Sequence, residues 1–264
     1  MLFDFQDGNG PVPAHQHCNG GGWVADTAWV SGDACVSGNA QVSGNARVFG
    51  DALVFGDALV FGDACVSGNA QVSGNARVSG NARVVGNAQV SGNARVSGNA
   101  WVVGNAQVSG NAWVFGDARV FGDACVSGNA QVVGNARVSG NAWVFGDACV
   151  SGNAQVSGNA WVSGDACVSG NAQVVGNAQV SGNARVSTGE WKRSPLYIQG
   201  SRYFIMHSGP GLIRSGCIEK PFSWWQENVI RCAEENGYTK EQQKEYAAHV
   251  NYIISMVKLL ESDK

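Results

Sequence analysis

Lysine and glutamate are absent from this 264-residue chain before Glu190, and only 14% of all residues are charged. An ordinary soluble domain has roughly 25% charged residues. The apolar content of 44% is nevertheless too high for a disordered chain. No apolar run approaches the roughly 18 residues of a membrane-spanning helix, and the first ten residues lack the basic and apolar segments of a signal peptide. These absences predict a soluble, unexported protein of the cytoplasm.

The sequence also lacks the cysteine spacing of a metal or redox motif, although it contains eight cysteines. No two of them form a CxxC pair. Five recur at one position of an internal repeat, which argues against a disulfide framework. We therefore expect reduced thiols, as is usual in a cytoplasm.

That repeat occupies most of the chain. Valine stands at every sixth position through residues 24–186, which gives 28 valines and 27 unbroken hexads with alanine four residues after each valine. From Val30 onward the unit reads V-x-G-N/D-A-x. A helix does not fit, because a period of about 3.6 residues would scatter these valines and each glycine would cost about 1 kcal/mol.

As an extended strand, the unit sends alanine and valine to one side and the two x residues to the other. The Gly-Asn or Gly-Asp pair supplies a corner, because both residue types tolerate positive φ. Three such sides close a triangular coil of 18 residues. The repeat therefore predicts about nine coils, stacked roughly 40 Å long at the spacing of β-strands.

The unit resembles the hexapeptide-repeat superfamily of left-handed parallel β-helices, and left-handedness is an implication of that resemblance. The segment PAHQHCNGGGWVADTA at residues 13–28 is similar to the lead-in of hexapeptide proteins encoded by bacteriophages and prophages. This second resemblance implies a phage or prophage origin and hence the cytoplasm of a host cell. We expect a lead-in and cap at 1–23, a β-solenoid at 24–187 and a C-terminal domain at 188–264.

Outward residues 18 positions apart stack on one face. One face stacks glutamines, including Gln71, Gln89 and Gln107, which predicts an amide ladder. Large apolar residues form two further sets. The girdle comprises Phe49, Leu53, Phe55, Leu59 and Phe61. The aromatic zone comprises Trp101, Trp113, Phe115, Phe121, Trp143, Phe145 and Trp161. Their strand parity points them outward, which favours an interface, although stacking along a face would also accommodate them.

Arginine and tryptophan alternate on one face in Arg83, Trp101 and Arg119. Such rungs could bind single-stranded nucleic acid. The repeat nevertheless has seven arginines and nine aspartates, so it lacks the basic charge of a phosphate-binding surface. Cation–π contacts that hold the wall together are the favoured interpretation.

The resemblance also raises an enzymatic alternative, because many hexapeptide-repeat proteins are acyltransferases. In that superfamily the reaction depends on a histidine base and on loops that protrude between coils. All four histidines lie outside the repeat, and its unbroken hexads leave no room for a loop. One metal site remains possible at His15, His17 and Cys18, although these side chains could instead hydrogen-bond the lead-in. No cofactor is predicted.

The C-terminal residues predict a small ββαα unit. Segments 196–206 and 212–218 are typical of a hairpin, while Ser223 with Gln226 and Thr239 with Gln242 indicate capping boxes of two helices. The second helix carries an apolar stripe. Its residues are Tyr246, Val250, Ile253, Ile254, Val257 and Leu260. This unit could cap the last coil, or bind a partner through the stripe with Trp224 and Trp225.

The sequence thus favours a non-catalytic scaffold of mainly β structure, with a three-sided left-handed β-helix and a small α+β domain. We expect it to form a homo-oligomer or to bind a host protein, and we expect no membrane association. The alternatives are an acyltransferase-like enzyme and a binder of small ligands or nucleic acid.

Overall fold

The repeat forms a three-sided coil in the computed structural model, which describes residues 1–5 and 10–262. Each of about nine coils contributes one short strand to each of three parallel sheets. Neighbouring strands pair residues 18 positions apart, as in the column of Val84, Val102 and Val120. The predicted coil length and the mainly β fold are confirmed.

The three faces of the coil have the following strands. The first face contains Leu2–Asp4, Pro11–Gln16, Trp23–Ala25, Gln41–Val42, Leu59–Val60, Arg77–Val78, Arg95–Val96, Trp113–Gly116, Gln131–Gly134, Cys149–Val150, Cys167–Val168 and Arg185–Val186. The second contains Trp29–Val30, Arg47–Gly50, Cys65–Gly68, Arg83–Gly86, Trp101–Gly104, Arg119–Gly122, Arg137–Val138, Gln155–Val156, Gln173–Val174 and Glu190–Trp191. The third contains Cys35–Val36, Leu53–Val54, Gln71–Val72, Gln89–Val90, Gln107–Val108, Cys125–Val126, Trp143–Val144, Trp161–Val162 and Gln179–Val180.

The interior of the coil is built from the valine and alanine of each hexad. Between residues 34 and 180 each of these valines and alanines has 0% exposure. The alternation of a strand accounts for this, because it places the two x residues outside and the two repeated apolar residues inside. The inward assignment made from the sequence is confirmed.

Glycine at each corner has a left-handed backbone. Gly110 has a φ of 67°, and a Cβ at this position would lie 2.9 Å from the carbonyl oxygen of Gly128 in the next coil. Gly182, at the last corner, has a φ of 60° but nothing within 4 Å of such a Cβ. Corners inside the stack therefore require glycine for two reasons, its conformation and the close approach of the next coil.

This difference gives a matched pair of substitutions. Gly182→Ala should cost about 1–2 kcal/mol, because alanine must adopt a left-handed conformation. Gly110→Ala should cost more, because its Cβ must also displace the next coil. Thermal unfolding followed by circular dichroism measures both changes. Equal melting temperatures for the two variants would contradict a role for the contact between coils.

The amide ladder lies at the corners. Nδ2 of Asn75 donates to Oδ1 of Asn93 at 3.1 Å, and Nδ2 of Asn99 donates to Oδ1 of Asp117 at 2.9 Å. Gln71, Gln89 and Gln107 stack on one face as predicted. Among the described side chains, however, asparagine is the donor of the amide hydrogen bonds between coils, so the predicted hydrogen bonding between these glutamines is wrong. Asparagine loses less rotamer entropy than glutamine when it is fixed at one strand spacing. A ladder ends at aspartate, since a carboxylate cannot donate.

The N-terminal lead-in covers part of the first coil with two antiparallel strands. Phe3 stacks on Trp23 with a centroid distance of 4.2 Å, and Phe5 is buried. The backbone N–H of Gly22 donates to the carbonyl of Val36 at 2.9 Å. These contacts seal the first coil along two faces.

The C-terminal residues form a four-stranded antiparallel sheet and two helices. The strands are Tyr197–Gln199, Phe204–Gly209, Leu212–Ser215 and Ile218–Pro221, and the helices are α1 (Phe222–Glu235) and α2 (Lys240–Ser262). The predicted hairpin is present, but both of its strands divide in two, so the unit is ββββαα rather than ββαα. The second division occurs at Gly216, whose φ is 55°.

One of the two predicted capping boxes is confirmed. At the start of α2 the N–H of Gln242 donates to Oγ1 of Thr239 at 3.3 Å, and Oε1 of Gln242 accepts from the N–H of Thr239 at 3.0 Å. The box predicted at Ser223 is wrong, because the cap of α1 is Pro221, two residues before Ser223, and Pro221 makes no side-chain hydrogen bond. Within the described part of the chain, neither helix has the length and apolar character needed to cross a membrane.

The C-terminal sheet closes the last coil. Ile205 and Met206, both fully buried, alternate along one strand and face opposite sides. Ile205 packs in the core of the C-terminal unit, whereas Met206 belongs to the valine and alanine core of the coil. Trp191 joins that core as well, and it pairs with Val174. The interior of the stack is thereby covered at this end.

Candidate functional site

The outward residues of the coil provide the candidate interaction surface. The girdle runs around one coil and touches all three faces, with Phe55 and Phe49 exposed by 37% and 36% and Leu53, Leu59 and Phe61 half-buried. Phe49, Phe55 and Phe61 are six positions apart and therefore lie on three successive faces, and Leu53 and Leu59 accompany the last two. The girdle is therefore a ring around the rod rather than a flat patch.

The aromatic zone is likewise divided among the faces. Trp113 and Phe115 lie on the first face, Trp101 and Phe121 on the second, and the remaining three residues on the third. The zone therefore consists of three clusters, as the stacking of residues 18 positions apart predicts.

The cluster on the third face contains the two most exposed rings of the aromatic zone. Trp143 stacks on Trp161 with a centroid distance of 5.8 Å and an interplanar angle of 17°. Phe145 meets Trp161 edge to face at 6.1 Å. The two tryptophans remain 47% and 43% exposed. Contacts among the three rings thus leave a large part of this cluster, named the tryptophan cluster, open to solvent.

Arginine flanks the other tryptophans. The guanidinium carbons of Arg83 and Arg119 lie 5.0 and 5.2 Å from the ring centroid of Trp101, one coil before and one coil after it. Arg95 lies 5.0 Å from the ring of Trp113. These distances are within the range of a cation–π interaction. The predicted cation–π rungs are confirmed.

Charge is segregated on the rod. The arginines of the repeat occupy x positions on the first two faces, and the aspartates occupy positions at or beside the corners. Among the described residues, no arginine of the repeat forms an ion pair with a carboxylate. The first two faces thus present positive charge and apolar rings, the third presents apolar rings without arginine, and the edges present negative charge.

A shallow groove of about 320 Å³ on the first face combines these features. Arg77 and Arg95 stack in neighbouring coils within it. Phe61 bounds the groove on one side, and Trp113 and Phe115 bound it on the other. Two stacked guanidinium groups between aromatic rings can bind a ligand in which an anionic group is attached to an apolar group.

The structure places the predicted metal ligands apart. Nδ1 of His15 lies 2.9 Å from a carboxylate oxygen of Asp26, and Nδ1 of His17 accepts from the backbone N–H of Asn19 at 3.3 Å. Cys18 is exposed. No group of three metal-ligating side chains assembles within residues 1–5 and 10–262. Both histidines therefore form hydrogen bonds within the lead-in, which is the alternative to a metal site.

Two features of the C-terminal unit prove to be internal. Trp225 is 3% exposed and its Nε1 donates to the carbonyl of Ile213 at 2.8 Å. The apolar stripe of α2 packs in the same core, with Val250 and Ile253 fully buried. Trp224 and Leu260, the last residue of the stripe, remain half-buried. Trp225 and the rest of the stripe are thus core residues of this chain rather than surface residues.

Trp29 is a surface residue that the sequence interpretation missed. It is 60% exposed and stacks on Phe49 at 6.4 Å. The signal was available, because Trp29 lies 18 residues before Arg47 in an x position of the second face. It extends the girdle toward the N-terminal end of the rod.

Comparison with known proteins agrees with this architecture. A family model described as the YdcK β-solenoid repeat matches residues 40–56, 70–86, 76–90, 88–104, 106–120, 130–146, 154–170 and 178–191. No curated protein sequence matches the chain closely enough to count as a relative.

Two solved structures are among those that match this chain. UDP-N-acetylglucosamine acyltransferase from Francisella novicida has a TM-score of 0.53 and 12% identity, over 83% of this chain and 77% of its own. LpxA from Acinetobacter baumannii has a TM-score of 0.41 and 10% identity, over 82% of this chain and 78% of its own. At such identity the first likeness concerns the fold alone. The unbroken hexads, the three parallel sheets and the match to a β-solenoid repeat family together show that this chain has a three-sided β-solenoid fold.

Proposed function

We propose that this protein is a non-catalytic β-solenoid scaffold whose faces bind a second copy of the chain or a protein partner. The observation that carries the proposal is the tryptophan cluster, in which two stacked indoles remain nearly half exposed. Exposed apolar clusters of this kind typically mark protein interfaces. The regular wall holds the rings at fixed positions, so little side-chain entropy is lost on binding.

The charge pattern supports a partner surface that carries carboxylates. Arg77 and Arg95 in the groove of the first face have no carboxylate partner among the described residues, and the aspartates of a second rod lie at its edges. An edge of one copy laid against the first face of another would pair these charges. A protein with acidic and apolar side chains would do the same.

The acyltransferase-like alternative has less support. The similar fold is that of an acyltransferase, but 12% identity carries over no residue role. No histidine lies within the repeat, and the described coils follow one another at 18-residue spacing without an inserted loop. Retention of acyl-coenzyme A in native mass spectrometry would favour this alternative over the scaffold.

The setting we propose is a phage or prophage gene product in the cytoplasm of its host. The lead-in at residues 13–28 supports it through its resemblance to phage-encoded hexapeptide proteins. The partner would then be a host protein or another copy of the chain.

Light scattering and interface substitutions test the proposal. If the parent is an oligomer, Trp143→Ser with Trp161→Ser should weaken assembly about 10- to 100-fold, because complete burial of each ring is worth about 1.5–3 kcal/mol and roughly half of each ring is available. Gln89→Ser with Gln107→Ser, on the same face but outside the cluster, should leave the mass unchanged.

If the parent is a monomer, the same two variants and Phe55→Ser are compared for capture of proteins from a host lysate. Loss of one specific partner in the tryptophan variant, but not in the glutamine variant, is the expected result. A monomer whose captured proteins are unchanged by every substitution would refute the interface.

A further inference from the structure

The coil places two of the five repeat cysteines in one column. Cys149 and Cys167 are Cα partners in adjacent strands of the first face. Cys125, by contrast, lies between Gln107 and Trp143 on the third face. The fold thus creates a dithiol from residues that are 18 positions apart in sequence.

The spacing of this pair suits a reversible disulfide. Adjacent strands lie about 4.8 Å apart, and the Cα atoms of a disulfide are usually about 4.4–6.8 Å apart. Both side chains point outward and are only half-buried. A small oxidant can therefore reach the sulfur atoms, and the two coils need little movement to join them.

The surroundings of the pair favour a thiolate on Cys167. The hydrogen bond from Cys149, together with the charges of Arg185 and Arg214, lowers the pKa of Cys167 to about 6. Arg185 is the next residue of the same column, and Arg214 comes from the C-terminal sheet, where it lies 3.5 Å from Glu219. The same hydrogen bond raises the pKa of Cys149, whose proton it uses. Burial raises the pKa of Cys125.

We infer that Cys149 and Cys167 form a redox-active dithiol that hydrogen peroxide converts to an intrachain disulfide between adjacent coils. The Cys167 thiolate attacks one peroxide oxygen, the O–O bond breaks, and sulfenic acid and hydroxide form. Cys149 loses its proton to that hydroxide and attacks the sulfur of Cys167. The S–S bond forms, the S–O bond breaks, and the departing hydroxide becomes water on protonation. One peroxide and two thiols thus give one disulfide and two waters.

The parent protein provides the first test. Protein reduced under anaerobic conditions receives one equivalent of hydrogen peroxide at pH 7, and the remaining thiols are then alkylated. Digestion by proteases specific for aspartate and arginine separates the two cysteines, because Asp165 lies between them and Arg185 follows Cys167. Mass spectrometry should find the linked peptides as the main oxidised product. A main product with any other pairing, or with no pairing, would overturn the inference.

Rates and variants provide the second test. At pH 7 a thiol with a pKa near 6 is about 90% thiolate, whereas the raised pKa of Cys125 keeps that thiol largely protonated. After allowance for the lower nucleophilicity of its thiolate, we expect Cys167 to react several-fold faster than Cys125. Its rate should fall below pH 6, whereas that of Cys125 should keep rising above pH 8. In Cys149→Ser, dimedone should trap a sulfenic acid on Cys167. The two rates are compared in the parent protein, so this test does not depend on the folding of Cys149→Ser. Equal rates and pH profiles for Cys167 and Cys125 would contradict the assignment.

Discussion

Val102→Asp is expected to open the rod. Val102 has 0% exposure and lies between Val84 and Val120 in a column of the second face. An unpaired carboxylate in this interior would cost several kcal/mol, and no polar side chain of the hexad points inward to bind it. At roughly 2–4 °C per kcal/mol for a chain of this size, the melting temperature should fall by about 10 °C or more.

The next residue supplies the control. Val103 lies on the same strand with the opposite parity, and its side chain is half-exposed beside Val85 and Phe121. Val103→Asp introduces the same charge and should cost about 1 kcal/mol or less. Equal losses of stability for Val102→Asp and Val103→Asp would show that parity does not decide burial in this coil.

The unfolding caused by Val102→Asp should also be local. Coils contact only their neighbours, so a solenoid behaves as a chain of coupled units. Hydrogen exchange in Val102→Asp should therefore rise first in the coils on either side of residue 102 and later at both ends of the rod. Uniform acceleration over the whole chain would indicate a single cooperative unit instead.

The coil could be predicted from sequence because the residues of each hexad determine its local structure. Strand parity fixes the direction of valine and alanine, glycine fixes the corner, and the period of 18 residues fixes which residues stack. Every coil repeats the same pattern, so a misinterpretation of one residue would not change the predicted fold. The handedness of the coil cannot be predicted in this way, because a left-handed and a right-handed coil would have the same sequence period.

The candidate interaction surface is harder to predict than the coil. The positions of the residues from Trp101 to Trp161 in the sequence predict the face on which each lies, but not how much of each ring its neighbours cover. The stripe of α2 shows a second limit. An apolar stripe has the same sequence pattern whether it packs in its own chain or against a partner, and Ile205 and Ile213, which cover it, lie far from it in sequence.

The cysteine column shows what topology adds to a pattern. In sequence, Cys149 and Cys167 are two of five cysteines that occupy the same position of the hexad. The fold brings them into register, and it also brings Arg214 from a different sheet into their electrostatic environment. The first of these effects follows from the repeat, but the second depends on how the C-terminal unit docks.

That docking leads to the second large effect, which is expected for Met206→Asp. Met206 is fully buried in the core of the coil, and its sulfur accepts from the N–H of Arg185 at 3.4 Å. Its side chain is not part of the core that holds the C-terminal unit together, so that unit should remain folded. A carboxylate at this position would cost several kcal/mol and should separate the unit from the last coil.

A separated unit would leave the last coil uncovered. The apolar interior around Val186 and the edges of the final strands would then be open, and uncovered strand edges pair with one another. We expect Met206→Asp to form end-to-end assemblies that grow with concentration, and trypsin to cleave faster at Lys192 and Arg193 in the connecting segment. Sedimentation velocity and limited proteolysis measure the two effects.

Tyr252→Asp, at an exposed position of α2, is the control and should behave like the parent. If Met206→Asp kept both the mass and the cleavage rate of the parent, the C-terminal unit would not be the cap of this rod.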